Sequence, residues 1–408
     1  MHSDLIKLSN IAKQECRLIL GMMSGTSLDG LDLALCEIKG HGRNTQLKLV
    51  RFTTIAYNAD YLRIVKPLFA NPKANLSDIC HANAWIAREH ARLVNMALSD
   101  WGLSHSDIDL IASHGQTIFH APAHSLSTHL DDAEFKPCNS TLQLGDGDHI
   151  ARLTQCITLS DFRQKHVAAG GEGAPMVKYG DYLLFTDPHE YRVLLNLGGI
   201  ANLSIIPNNA KFSSVTSTDT GPANTLLDAV VQQQRQQANE ATFDEGGRIA
   251  ARGEVSKPLL DMLLKHPFLA LNAPKTTGQE SFNMEWLQSV LDDYDGATLE
   301  LPELLATLCE FSAICIAQVI RKLVPVNQQL SVYASGGGTH NQYLMSCIQK
   351  QLPDANMASM DKLGLDGDAK EAALFALLAN ECLCGDSTSF ENHSGIPNIS
   401  SGKISFPN

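Results

Sequence analysis

The chain has 408 residues, a formal net charge of −13 at pH 7, 44% apolar residues and 18% charged ones. That length suits two hydrophobic cores better than one, and the composition is that of an ordinary globular protein. The acidic balance argues against a nucleic-acid surface, which needs a basic face, and no apolar run approaches the roughly 18–20 residues of a membrane span.

In chain order, residues 17–56 predict three strands, RLILGMM, LDLALCEI and LKLVRFTTI, joined by turns. Residues 76–103 carry apolar positions at helical spacing, and DLIASHGQT predicts a short buried strand that ends in a polar loop. The stretch 121–140 is polar and turn-rich and predicts a surface insertion. TLQLGDGDHIARLTQCITLSDF then predicts strand, helix, strand, before a glycine-rich bend, AAGGEGAP, that suits a hinge or a domain crossing. A second strand set follows in YRVLLNLGGIANLSII and SSVTSTDTG, with helices over 254–325. LSVYASGGGTHN predicts strand and glycine loop, QYLMSCIQKQL its helix, and AKEAALFALLANECLC a strongly apolar helix. Strands followed by helices and further strands imply an α/β class. The N-terminus lacks the apolar core and cleavage site of a signal peptide. The ten cysteines are scattered without a Cys-x-x-Cys pair, the pattern of reduced thiols in a cytoplasmic protein.

Three polar loops follow apolar strands: SGTSLDG at 24–30, STDTGPANT at 217–225 and SGGGTHN at 335–341. Glycine lets a ligand approach the main chain, so that successive amide N–H groups can converge on one anion. Ser and Thr add donors without bulk, Asp can meet a hydrated magnesium ion, and the helix after STDTGP would present its N-terminus. Each loop also has a plainer reading. Asp29-Gly30 closes hairpins in general, three glycines make a flexible turn, and Asp219 can cap a helix. The chain has no G-x-x-x-x-G-K-[ST], no G-x-G-x-x-G after a strand and no G-x-S-x-G elbow.

The motifs GMMSGTSLDGLD, SHGQT, TLQLGDG, DFRQKHVAAGGEGAP, NLGGIANLS, DTGPANTLLDA, PKTTGQESF and ASGGGTHN, in this order, resemble the anhydro-N-acetylmuramic acid kinase family, and AKEAALFALLA and GKISFP match more weakly. The resemblance implies two actin-like (ribonuclease H-like) α/β domains flanking a nucleotide-binding cleft. Domain I would be 1–167 plus about 388–408, and domain II 168–387. It implies ATP and Mg2+, a 1,6-anhydro amino sugar as substrate, a homodimer, and cytoplasmic peptidoglycan recycling, with no nucleic-acid or membrane partner. It also implies an unusual reaction, in which water attacks the anomeric carbon while the bridging oxygen leaves and takes the γ-phosphoryl group.

Carried over residue by residue, the resemblance implies Asp219 as the base that activates water. The first phosphate hairpin would be Gly25, Thr26, Ser27, Leu28, Asp29, Gly30, Leu31 and Asp32. Gly221 and Asn224 would serve the second phosphate region, and Gly336, Gly337 and Gly338 would lie near the nucleotide. The sugar side would draw on His114, Gln116, Asp161, Arg163, Lys165 and Glu371. The metal would be held mainly by ATP, with Asp29 reaching it through water. Several of these have structural competitors: His114 as a core histidine, Asp161 and Arg163 as a buried ion pair, Glu371 as an exposed helix residue. Lys275 either meets a phosphate or caps a loop, and Asn196 and Asn202 either serve the site or shape the turn between them.

The sequence departs from the family pattern at Lys165, His166 and Glu172, where an Arg, an Asp and a Gln are expected, and at Gln279, where an Arg is expected. Lys offers a point charge where Arg offers a fork for the lactyl carboxylate of the substrate. The departures spare the phosphate loops and leave levoglucosan, an uncharged 1,6-anhydro sugar, as the rival substrate. Other classes are a non-catalytic ATP or sugar sensor on the same fold, and a metal hydrolase built on His114, His120, His124 and His129, whose spacing fits no helical His pair.

Overall fold

The computed structural model describes residues 2–121, 123, 138–173, 176–234, 242–278, 280–385 and 401–408. The insertion expected at 121–140 lies largely outside them, as does Gln279. The chain divides into two units, Met1–Leu184 with Gly364–Asn408, and Phe185–Leu363. The sequence placed these boundaries near 168 and 388. The helix Val177–Phe185 up to Leu184, and the helix Lys370–Cys384, fall in the first unit, where Lys370 Nζ meets the buried Asp181 carboxylate at 2.7 Å.

The first unit is built on β1 (Cys16–Ser24), β2 (Gly30–Lys39), β3 (Gln46–Ala56), β4 (Leu110–Ala121), β5 (Ser140–Leu144) and β6 (Thr158–Ser160). β1, β2 and β3 form an antiparallel meander, β4 lies parallel to β1 and β6 parallel to β4. β5 pairs with β4, and the C-terminal strand Lys403–Ser405 adds antiparallel to β6. β1 and β2 are nearly continuous apolar runs because both of their faces are covered. Helix Leu76–Asp100 buries Ile86, Val94 and Leu98 on one side, and helix Lys370–Cys384 buries nearly every residue from Ala372 to Glu381. The second helix runs so close that a Cβ on Gly21 would stand 1.9 Å from the Ala372 carbonyl oxygen, so only glycine fits there.

The second unit follows the same plan with β7 (Tyr191–Leu197), β8 (Ile200–Ile206), β9 (Thr216–Pro222), β10 (Leu330–Ser335) and β11 (Asn356–Ser359). The order β11-β10-β7-β8-β9 reproduces β6-β4-β1-β2-β3, with the same antiparallel meander and the same two parallel additions. Its core helix, Leu301–Leu323, is long and apolar enough to cross a membrane, but its apolar face is packed inside the unit around Leu305, Leu308 and Ile316. All ten cysteines are free thiols.

STDTGP, read from sequence both as the end of a strand and as the start of a loop, is strand through Pro222. It forms the body of β9, because Thr216, Thr218 and Thr220 are β-branched and the backbone pairs with β8 from Ile200 to Ile205. The polar composition reflects an edge strand in this unit's sheet.

Candidate active site

In the first unit, the β1–β2 ladder ends at the Ser24↔Leu31 pair, and the turn lies beyond it. Leu28 takes φ +57°, and its buried side chain joins the core with Leu31. These two residues therefore offer a ligand only their backbone. The Asp29 carboxylate is used inside the turn, accepting from Ser27 Oγ at 2.8 Å and from the Gly30 amide at 2.9 Å. Behind the turn lies a buried network. Ser24 Oγ donates to Gln116 Oε1 at 2.5 Å and lies 2.6 Å from the Tyr57 hydroxyl. Tyr61 also donates to Gln116 Oε1, and Gln116 Nε2 donates back to the Gly25 carbonyl at 3.2 Å. His90 Nε2 is shared between the two tyrosines, at 3.1 and 3.2 Å. Gln116, expected at the sugar, thus spends its amide on holding the hairpin.

Asp32, on β2, accepts from Thr54 Oγ1 at 2.6 Å. Burial pushes its carboxyl up to about 6; Thr54 opposes the shift, and the charges of Asp29, Glu371 and Asp368 add to it. Glu371 opens the helix Lys370–Cys384, one turn before Phe375, whose ring packs 4.8 Å from His114. Glu371 is exposed on its helix, the plainer reading that the sequence allowed; the protein packed around its carboxyl raises it, partly offset by Lys370 and Arg163. His114 Nε2 accepts from Arg163 Nε at 3.0 Å. Burial, and then Arg163's charge, hold the imidazole well below its ordinary range, so it is neutral and carries its proton on Nδ1. His114, Arg163, Glu371 and Asp32 therefore share one electrostatic neighbourhood. Asp161 and Arg163 do not pair with each other, as the sequence allowed. Asp161 takes φ +55° and its carboxylate pairs with Lys403, while Arg163 turns to His114 and the Gly173 carbonyl. Lys165 is exposed on the helix Phe162–Ala168.

In the second unit, the strand registers line up Ser335, Asn196, Asn202 and Asp219 as direct neighbours across β10, β7, β8 and β9. Direct neighbours share a face of a sheet, so Asn196 and Asn202 form a polar row with Asp219. Asp219 Oδ2 accepts from the Thr277 amide at 2.8 Å, and its own amide donates to the Lys275 carbonyl. Burial raises its carboxyl above the usual range; the Thr277 amide opposes this and Glu280 adds to it. The Lys275 ammonium donates to the Phe268 carbonyl at 2.9 Å and sits 4.2 Å from the Phe268 ring centre, which is the loop-capping role.

The Gly198-Gly199 turn closes β7 and β8 and carries the start of helix Asn224–Gln234 on its carbonyls. The Asn224 amide donates to Gly198 O at 3.1 Å, and the Ala223 and Thr225 amides donate to Gly199 O. Gly336 (φ +84°) lies against the same hairpin; a Cβ there would stand 2.7 Å from Asn196 Oδ1 and 2.9 Å from Leu197 O. Gly338 is equally close to Leu197, whereas Gly337 has open space around its Cβ position. Gly221, at φ +147°, backs onto Cys315.

A sequence model described as anhydro-N-acetylmuramic acid kinase matches residues 17–401. The chain is 48% identical to the anhydro-N-acetylmuramic acid kinase of Pseudoalteromonas atlantica and 44% identical to that of Pseudoalteromonas translucida, each over all of both chains. The chain belongs to the anhydro-N-acetylmuramic acid kinase family. Among solved structures, the activator of 2-hydroxyisocaproyl-CoA dehydratase from Clostridium difficile with bound ADPNP aligns over 92% of this chain and 99% of its own, at 11% identity and a TM-score of 0.41.

For an anhydro-N-acetylmuramic acid kinase, the residues the sequence missed are the braces. Tyr57, Tyr61 and His90 stand 26 or more residues from the turn they support or meet it only through Gln116, and no short motif marks them. The row of Asn196, Asn202 and Asp219 was open to a register argument, since both Asn residues sit at mirrored places in the hairpin. Among the described residues, no group of three or more His, Cys, Asp or Glu is arranged to hold a metal ion. His124 and His129 of the hydrolase alternative lie outside those residues. Asp32 lies among the charges of Asp29, Glu371 and Asp368, an acidic setting that a divalent cation would suit.

Proposed function

We propose that the chain uses ATP and water to convert anhydro-N-acetylmuramic acid to N-acetylmuramic acid 6-phosphate and ADP, with Asp219 as general base. The water oxygen bonds to the anomeric carbon as the bond from that carbon to the 6-oxygen breaks. The 6-oxygen bonds to the γ-phosphorus as the bond to ADP breaks, and the water proton goes to Asp219. Full-length identity to enzymes of that name supports the reaction. One observation supports the base: Asp219 is fixed by the Thr277 amide through Oδ2 on a half-buried strand that raises its basicity. Oδ1 is the oxygen this reading gives to water, and Asn202, next to it in register, would orient that water.

The amides of the Gly25–Gly30 turn would meet phosphate oxygens, Gly221 and Asn224 would serve the second phosphate region, Gly336, Gly337 and Gly338 would lie near the nucleotide, and Asp29 would reach the magnesium ion through water. Bound magnesium supplies charge neutralisation on the β- and γ-phosphates. Arg163, His114 and Glu371 would face the sugar. The working form would be a cytoplasmic homodimer, so light scattering should give twice the 44.3 kDa of one chain.

ADP release measured with anhydro-N-acetylmuramic acid, levoglucosan, glucose and N-acetylglucosamine tests the reading. Saturable release with the first sugar is expected, abolished by EDTA. Replacing Asp219→Asn should lower kcat ~100-fold or more while leaving the KM for ATP nearly unchanged. Turnover of glucose with neither anhydro sugar active would overturn the ring-opening assignment.

A further inference from the structure

We infer that His166 is a positioning residue for the sugar side, through an unprotonated Nδ1 that holds the glycine bend against the helix carrying Arg163. His166 is fully buried, and its Nδ1 accepts from the Gly173 amide at 2.9 Å. Arg163 Nη1 donates to the carbonyl of the same Gly173 at 2.7 Å. Gly173 is thus gripped at both of its peptide groups by two side chains three residues apart on one helix. The backbone of the bend adds to the grip, with Gly170 N on Val167 O and Gly171 N on His166 O, both at 2.9 Å.

The grip decides where the guanidinium points. Arg163 Nε is spent on His114 and Nη1 on Gly173, which leaves Nη2 as the part of the fork available to a substrate oxygen. A bend released from His166 would free the Gly173 carbonyl to move and would take one of the two contacts that fix this orientation. The role explains a departure in the sequence. An Asp at position 166 accepts a backbone N–H through a carboxylate oxygen, and a neutral His accepts it through a ring nitrogen, so the acceptor is kept while the chemical type changes. Burial and the Arg163 charge push the His166 ring down to about 4, so it is neutral at pH 7, and the Gly173 amide donated to Nδ1 then leaves its one proton on Nε2; the ring of Tyr179 meets it edge-on from the next helix at 6.0 Å.

The inference rests on the sugar-side reading of Arg163, and its test separates the two. In the absence of any substrate, nitrogen NMR of His166 should give an unprotonated Nδ1. The Gly173 amide should exchange slowly in the wild type, at least tenfold faster in His166→Leu, and slowly again in His166→Asp. In turnover, His166→Leu should raise the KM for anhydro-N-acetylmuramic acid at least tenfold with the KM for ATP unchanged, and His166→Asp should return it to within about threefold of wild type. A proton on Nδ1, or equal Gly173 exchange in wild type and His166→Leu, would overturn the grip. Changed exchange with an unchanged sugar KM would overturn the positioning role. If His166→Leu does not fold, failure of His166→Asp to protect Gly173 would overturn the proposal. If no anhydro sugar is turned over by the wild type, the functional reading fails and the exchange data alone judge the grip.

Discussion

The two units share one strand order but brace their leading hairpins in opposite ways. In the first, the β1–β2 turn is long and is held from behind by side chains: Ser24, Tyr57, Tyr61, His90 and Gln116 form a buried polar network. In the second, the β7–β8 turn is two glycines wide. It is held by main chain, with three amides at the start of helix Asn224–Gln234 donating to Gly198 and Gly199. The difference follows from what each turn must do sterically. A long turn leaves its own backbone groups for a ligand and needs outside support, whereas a tight one can be fastened by its own carbonyls. A side-chain brace is sensitive to protonation and to single substitutions. A backbone brace is sensitive only to bulk.

Acid should separate the two most strongly. Burial pushes both His90 and His166, in the first unit, down to about 4, and holds His114 below its ordinary range. A depressed folded-state value means that the unfolded chain binds the proton more readily. The stabilisation from these groups is therefore complete above about pH 6.5 and is lost as pH falls towards 4, by up to about 3 kcal/mol for each fully neutral ring. Hydrogen exchange between pH 7 and pH 4.5 should show β1, β2 and the helix Leu76–Asp100 losing protection before β7 to β9; the reverse order would break the comparison.

Gln116→Leu comes next. It strands the Ser24 and Tyr61 hydroxyls in a buried setting, a loss on the order of 2–4 kcal/mol. Chemical denaturation should register it with an unchanged slope, and the KM for ATP should rise as the hairpin loosens. Gly336→Ala is the smaller effect in the second unit. Positive φ and the 2.7 Å approach to Asn196 Oδ1 predict a loss of about 1–3 kcal/mol. A substitution there that leaves both stability and ATP affinity untouched would show that the backbone brace has slack.

How much of this was legible in the sequence depends on distance along the chain. β1, β2, β7, β8 and β10 were legible because their apolar runs end in glycine-bearing turns, a local signal. β9 was legible in part: SSVTSTDTG was placed in a strand set, but its last residues were also read as a phosphate loop, because Gly221 and Pro222 mark a turn while the pairing that carries the strand to Pro222 lies in β8. Asp219 could be singled out by motif, but its raised basicity comes from burial, against the opposing Thr277 amide that fixes its Oδ2, and no spacing encodes either. Asp161 and Arg163 invited an ion pair by proximity alone. The left-handed backbone at Asp161 and the arrival of Lys403 from the C-terminal strand sent the two charges to different partners. His166 looked like the loss of a carboxylate, and only its contact with Gly173 identifies what the two residue types have in common.

The first unit is discontinuous in the chain, and this sets an order for its birth on the ribosome. The helix Lys370–Cys384, packed so tightly over Gly21, and the strand Lys403–Ser405 that completes the sheet beside β6 are translated after every residue of the second unit. The second unit is contiguous and has its whole core available once Leu363 has emerged. The amino-terminal sheet waits until Ser405 has emerged, with the apolar surface over β1 uncovered, so this segment is the one a nascent-chain chaperone would find exposed longest.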